Sequence, residues 1–311
     1  MNIPPAGLRV GIIGCDTSHA TAFTEILNDT GATDHVPGAK VVAAFKTFSP
    51  DIEWSRSRVD EYTGVLRERH GVKFTASIAE LCGEVDAVIV GSVDGRPHLE
   101  QARAVIAAKK PVFVDKPLAG SLRDVLEIMR LAGDADVPLW TGSAYRWYPT
   151  LLALRAADLD EIRGAISYGP AHLNEHHPDF FWYGIHAAEA LYAVLGAGCE
   201  RVSRTKTDDT DVVVGAWSGG RTGTLIGLRT PPLPHQVTVF GSAGFAQQQG
   251  GGESYAPLVA QIARFFQTRQ PPVSHAETLE MYTFMEAADE SARRGGAPVT
   301  LAEVLAIARG K

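Results

Sequence analysis

The sequence predicts an α/β protein of two domains: a doubly wound parallel sheet in residues 1–142, then an α+β domain in residues 143–311 with an open, mainly antiparallel sheet. Three observations lead there. A chain of 311 residues exceeds what one hydrophobic core usually serves. Its first half alternates short β-branched runs with stretches of helical spacing, the order that produces a parallel sheet covered on both faces. Its second half brings strand-like runs in direct succession, which requires antiparallel neighbours.

In the first half, strands are expected at 8–13, 40–45, 72–74, 85–90, 111–114 and 138–141. Helical spacing joins Phe23, Ile26 and Leu27, then Leu99, Ala102, Val105 and Ile106, and later Val125, Ile128 and Met129. Such a sheet places its ligand crevice at the C-terminal ends of the strands, where the loops after Ile13, Phe45, Val90 and Val114 converge. Past Trp140 come an amphipathic stretch at 151–157, a strand at 165–168, a loop rich in His and Pro, and a helix at 185–195. Runs at 201–207, 212–217, 222–229 and 236–240, parted by turns such as Ser218-Gly219-Gly220, predict an antiparallel meander. Helices at 256–266 and 276–293 are expected to close the chain. The run 247–252 reads as a mobile loop with no phosphate role, since no strand-to-helix geometry surrounds it.

Composition narrows the function classes. Lys plus Arg number 29 against 36 Asp plus Glu, a net charge of −7, and the longest basic run is Lys109-Lys110, so there is no footprint for nucleic acid. Cys15, Cys82 and Cys199 form no C-x-x-C pair, which predicts reduced thiols in a cytoplasmic protein. The N-terminus lacks the basic region and long apolar run of a secretory signal. No stretch approaches the roughly 18 to 20 apolar residues that span a bilayer, so no membrane partner is expected.

The loop after the first strand, Gly11-Ile12-Ile13-Gly14-Cys15-Asp16-Thr17-Ser18-His19, stands where a dinucleotide fold carries its glycine fingerprint. Gly14 fits the tight turn, while Asp16 and His19 take the two later glycine positions. Two readings stay open: Thr17 or Ser18 caps the helix with Asp16 in the turn, or Asp16 and His19 line a modified crevice. The acid that usually ends the second strand and binds ribose hydroxyls is missing from Phe45-Lys46-Thr47-Phe48-Ser49. Lys46 and Ser49 could receive a 2′-phosphate, although a lysine exposed after a strand is ordinary. Ser92, Asp94 and His98 lie in the next loop, beside the crevice, with Pro97 opening a helix.

The most specific run is Val112-Phe113-Val114-Asp115-Lys116-Pro117. A lysine directly after a buried apolar strand is costly to place unless its ammonium faces a polar crevice, and the following proline favours an extended Lys116. Lysine pKa values also move readily on partial burial, which suits proton transfer near neutral pH.

This strand-then-Asp-Lys-Pro run resembles the Glu-Lys-Pro motif of the glucose-fructose oxidoreductase, inositol dehydrogenase and rhizopine-catabolism (Gfo/Idh/MocA) family. Ser92 to His98 is similar to that family's loop ending in His, and Gly184-Ile185-His186-Ala187-Ala188-Glu189 resembles its active-site helix. The resemblance covers the whole chain and implies a Rossmann-type domain that binds NAD or NADP, coupled to a substrate domain. It implies oxidation or reduction of a secondary hydroxyl on a sugar-like or cyclitol-like substrate. Lys116 and His186 would then manage the hydroxyl proton, with Tyr183 beside them. Gly11, Gly14, Asp16, Thr17, Ser18, His19, Lys46, Ser92, Asp94, His98, Asp115, Lys116 and Pro117 would line the cofactor crevice. Helical spacing places Tyr183, His186 and Glu189 on one side.

The departures are three: Asp16 and His19 at glycine positions, the missing ribose acid, and Trp182 where the family often has an Asp one turn before the histidine. They keep two alternatives open, a cofactor-free or noncatalytic sugar-binding protein and a non-redox lyase or hydratase. In the loop holding His172, His176 and His177, adjacent histidines of an extended chain diverge. No metal is therefore expected there, and these histidines, with Trp182, Tyr183 and His186, are assigned to substrate. An open apolar sheet face in the second domain predicts a homo-oligomer.

Overall fold

The computed structural model describes residues 7–250 and 254–310. They form two compact units, each with its own sheet. The first is built from the described residues up to Gly120, from Glu127–Gly142 and from Ser254–Val273; the second takes Ser121–Leu126, the described part of 143–253 and that from Ser274 onward. Where the sequence suggests a single cut after residue 142, the units are discontinuous.

In the first unit, β1 (Leu8–Ile13), α1 (Ser18–Asn28), β2 (Ala39–Phe45), α2 (Glu53–Arg56), α3 (Val59–Glu68), β3 (Lys73–Phe74), α4 (Ile78–Glu84), β4 (Ala87–Val90), α5 (His98–Ala107), β5 (Val112–Asp115), α6 (Leu122–Asp134, from Glu127 onward) and β6 (Leu139–Gly142) follow in order. The sheet runs β3-β2-β1-β4-β5-β6 with every neighbour parallel. β4, β5 and β6 are buried along their whole length, which is why they read as continuous apolar runs. β4 is shorter than expected because Val85 ends α4 and Asp86 turns aside to bind the Arg9 guanidinium. In this strand order the topological switch lies between β1 and β4, so the crevice is formed by the loops that follow those strands.

The second unit comprises α7 (Pro149–Arg155), β7 (Ile162–Pro170), α8 (Ile185–Leu195), β8 (Cys199–Lys206), β9 (Thr210–Trp217), β10 (Thr222–Leu228), β11 (Gln236–Gly241), β12 (Gly244–Gln247), α10 (His275–Arg293), β13 (Val299–Thr300) and α11 (Leu301–Ala308). The helix α9 (Ala256–Thr268) belongs to the first unit, where Phe265 packs 5.8 Å from Trp140 and Trp140 packs 4.9 Å from Phe113.

The expected four-strand meander is corrected. The order is β12-β11-β7-β10-β9-β8-β13: β8, β9 and β10 do meander, but β11 pairs with β7, which lies parallel to β10. Pro231, Pro232 and Pro234 occupy the connection after β10. Proline has no N–H to donate to a ladder, so a tight hairpin there is disfavoured. The run 247–252 begins at the end of the β11–β12 hairpin, and residues 251–253 lie outside the described residues. The final helix, α11, is additional to the expected pair; Thr300 caps it by accepting the Glu303 N–H.

Buried charges tie the second unit together. Arg204 on β8 has no exposed surface and meets Asp211 at 2.8 Å, Asp179 at 3.1 Å and Asp289. Arg146 meets Glu189 at 2.5 Å and Glu277 at 2.6 Å. The three cysteines of the sequence are free and buried, the small-hydrophobe role usual for such thiols. Among the described residues, no helix is long and apolar enough to cross a membrane.

Candidate active site

In the first unit the site is assembled from loops at the strand ends. Gly14 has φ +87°, and a Cβ placed on it would come within 2.5 Å of the Ser92 backbone nitrogen, so the loops after β1 and β4 meet there with no room for a side chain. Gly11 lies earlier, inside β1, with Leu81 of α4 against it; its glycine serves helix-strand packing. Thr17 caps α1 through the His19 N–H, 3.3 Å away, and Ser18 begins the helix exposed.

Asp16 is fully buried and points across the crevice. Its Oδ2 accepts the Ser55 hydroxyl at 2.6 Å and its Oδ1 accepts the Val93 N–H at 3.2 Å. Burial pushes its carboxyl above the ordinary range, opposed by the hydrogen bonds from Ser55 and Val93. Ser55 also accepts the Ser49 N–H at 2.7 Å, and the Ser49 hydroxyl donates to Asp94 at 2.6 Å. Asp94 in turn receives the Arg96 Nε–H at 3.0 Å, and Arg96 reaches Asp51 at 2.8 Å. Burial would raise the Asp94 carboxyl, but the bonds from Arg96 and Ser49 outweigh it and hold it low. Side chains from the loops after β1, β2 and β4 are thus joined to one another.

The second arrangement sits at the end of β5. His19 Nδ1 lies 2.5 Å from Asp115 Oδ2, both side chains buried, and the His19 ring stacks on Phe23 at 4.9 Å. Asp115 Oδ1 also accepts the Lys116 N–H at 2.9 Å. Burial works to raise the Asp115 carboxyl, and the adjoining His19 and Lys116 bring it below its ordinary value. Burial lowers the pKa of Lys116, with Asp115 opposing. His98, wholly buried, spans Pro117 O at 2.8 Å and Ser92 O at 2.9 Å, so it braces the Lys116-Pro117 turn against the β4 loop. Ser92 itself is paired with the Gln101 amide.

Of the cofactor residues expected from sequence, Asp16, Ser92 and Asp94 gather at the β1–β4 crevice, and His19, Asp115, Lys116, Pro117 and His98 at the β5 end. Lys46 stands apart, paired at 2.5 Å with the exposed Asp60, and the Ser49 hydroxyl is engaged by Asp94. Ser55 was not expected. Its α2 is only four residues long, and nothing local marks it as a partner of Asp16.

A dinucleotide in the fingerprint pose needs bare backbone at the second glycine position, against the pyrophosphate. At the β5 end the half-buried Lys116 suits a ribose hydroxyl or a reacting oxygen. At the β1–β4 crevice the residues do not fit that pose, because the Asp16 carboxylate and its bonds to Ser55 and Val93 stand in the place.

In the second unit, a single irregular turn feeds α8: Phe180–Gly184 is π-helical and runs into it. Tyr183 and His186 are the part-exposed residues of 180–190, all others being buried. Their rings lie 5.0 Å apart, and His172 lies 5.0 Å from Tyr183. Glu189 leaves this expected face, being buried against Arg146. Ser143 Oγ is 2.7 Å from His186 Nδ1 and accepts the Tyr145 N–H at 3.2 Å. Tyr145 packs 4.0 Å from His235, whose pKa burial lowers to about 4, keeping it neutral. His177 packs on the buried Trp182 at 5.3 Å, and His176 sits 3.4 Å from Glu175, so neither joins this cluster through those contacts. Ser143, Tyr145 and His235 are the members sequence reasoning missed; they come from chain segments far from α8.

Residues 8–143 match a family described as an oxidoreductase family with an NAD-binding Rossmann fold. An inositol 2-dehydrogenase of Saccharopolyspora erythraea is 29% identical over 175 residues, covering 55% of this chain and 47% of that protein. The chain spans about half the length of the first curated relatives it matches, 47% and 44%. Among solved structures, apo scyllo-inositol dehydrogenase from Lactobacillus casei superposes with a TM-score of 0.77 at 15% identity, covering 95% of this chain and 98% of that one. An Agrobacterium radiobacter oxidoreductase in complex with NAD+, L-tartaric acid and magnesium gives 0.76 at 17% identity, covering 96% and 99%. At such identity these structures speak for the fold of both units. The matched family is Gfo/Idh/MocA, and the match lies within residues 8–143 of the chain.

Proposed function

We propose that the chain is an NAD(P)-linked oxidoreductase acting on a secondary hydroxyl or ketone of a sugar-like or cyclitol-like substrate. The observation that carries this reading is Lys116, a part-buried lysine at the end of a fully buried strand, with its pKa lowered by burial. A lysine so placed can take a hydroxyl proton as neutral amine and return it as ammonium. His186 is the second proton-handling group. Ser143 engages its Nδ1 and holds the ring. The tyrosine and histidine rings around it supply the mixed apolar and polar surface that a polyol needs. The family supplies the choice of redox partner, a nicotinamide dinucleotide.

A second reading, a non-redox lyase or hydratase or a sugar-binding protein, is favoured by one specific observation, the Asp16 side chain across the crevice. The two are separated by incubating folded protein with a panel of sugars and cyclitols and each oxidised dinucleotide. Reduced nicotinamide absorbance is the expected result with at least one pair. Substrate consumption without it would replace the oxidoreductase reading by the lyase one.

We also propose a homo-oligomer through the second unit's sheet. One sheet face is covered by α8 and α10, while Val212, Val214, Phe240 and Phe245 on the other face are 38%, 46%, 40% and 70% exposed. Such a face is rarely left uncovered. Light scattering is expected to show an oligomer that Val214→Asp converts to folded monomer. A monomeric unaltered chain at micromolar concentration would contradict the assembly.

A further inference from the structure

We infer that Asp16 is a specificity-determining residue of the crevice: clasped between the loops after β1 and β4, it holds dinucleotide affinity down. This deepens the oxidoreductase reading and rests on it.

The sheet order puts the topological switch between β1 and β4, and a dinucleotide in such a fold crosses that gap. The Asp16 carboxylate spans the same gap. One oxygen takes the Val93 N–H of the β4 loop and the other takes the Ser55 hydroxyl from α2 beyond β2. The clasp continues through Ser49 to Asp94 and from Asp94 to Arg96 and Asp51, so donors that could face a ligand are spent on one another. The carboxylates of Asp16 and Asp94 are 0% and 1% exposed, and a pyrophosphate brought against them adds like charge in a poorly screened place. His19, at the third glycine position, is likewise committed, bonded to Asp115. Both residues that replace glycines therefore make specific buried bonds, which distinguishes a rebuilt crevice from a merely decayed motif.

Asp16→Gly restores bare backbone and removes the charge; Asp16→Asn removes the charge alone and can keep both hydrogen bonds. Calorimetric titration of each folded protein with NADH, NADPH and ADP-ribose is the test. Asp16→Gly is expected to tighten binding of at least one ligand by about tenfold or more, and Asp16→Asn by several-fold. If Asp16→Gly fails to fold, the isosteric Asn variant decides. Micromolar binding by the unaltered chain that neither variant improves would overturn the clasp and leave the oxidoreductase reading standing. No binding by any of the three proteins at millimolar ligand would overturn both.

Discussion

Arg204→Ala is expected to destabilise the second unit by about 3–5 kcal/mol, the usual cost of removing one partner from a buried ion pair. Arg204 is fully buried and lies on Asp179, Asp211 and Asp289, and its guanidinium stacks 4.2 Å from the centre of the Phe180 ring. Truncation leaves Asp289, 7% exposed, without the arginine it contacts, and leaves Asp211, 1% exposed, with Arg229 alone. It also leaves Asp179, which immediately precedes the π-helical turn that carries Tyr183 toward His186, with Lys206 as its remaining cation. Denaturant unfolding followed by circular dichroism measures the loss. An effect under about 1 kcal/mol, the range of exposed pairs, would show that the cluster does not hold this unit.

The second large effect concerns the two residues proposed to handle protons, Lys116 and His186. Lys116→Ala and His186→Ala should each lower turnover by about 100-fold or more, the usual scale for positioned acid-base groups. The pH profile gives a separate check. Burial lowers the Lys116 pKa, so the neutral amine forms at lower pH than in an ordinary lysine. Oxidation, which needs the amine, should rise with pH through a limb below the ordinary lysine range; reduction, which needs the ammonium, should fall through the same limb. A His186→Ala protein with a lower melting temperature and intact turnover would make that histidine structural. Ser143→Ala should fall between, since it frees the His186 ring without removing it.

Much of the fold was legible because local signals agreed with the tertiary outcome. β1 and α8 have the bounds the sequence predicts, and the parallel strands of the first unit could be read from their β-branched runs. The meander failed because hydrophobic alternation does not say which strand lies beside which; the prolines after β10 carried the missing information. α9 could be recognised as a helix, but its return to the first unit depends on Phe265 meeting Trp140, a contact between residues far apart in sequence.

The candidate site was legible in part for the same reason. Lys116 stands out because a charged residue after a buried strand needs a local explanation. Asp16 and His19 stand out as departures from glycine, yet where they point is set by partners elsewhere: Ser55, 39 residues on, and Asp115, 96 residues on. Of the two readings of the loop, elements of both hold. Thr17 caps the helix, and Asp16 and His19 lie in the crevice, facing protein groups. Ser143, Tyr145 and His235 left no signal, because serine, tyrosine and histidine in loops are ordinary until the fold brings them to one helix.

The central claim, oxidation or reduction of a C–H bond with Lys116 handling the hydroxyl proton, is tested most directly by isotope transfer. The best cyclitol from the substrate panel would be deuterated at its carbinol carbon and incubated with NAD or NADP and the folded protein. Mass spectrometry should then find the deuterium in the reduced nicotinamide ring, and Lys116→Ala should slow its appearance by about 100-fold or more. Deuterium that appears only in water or in a dehydrated product, or transfer unaffected by loss of Lys116, would contradict the account.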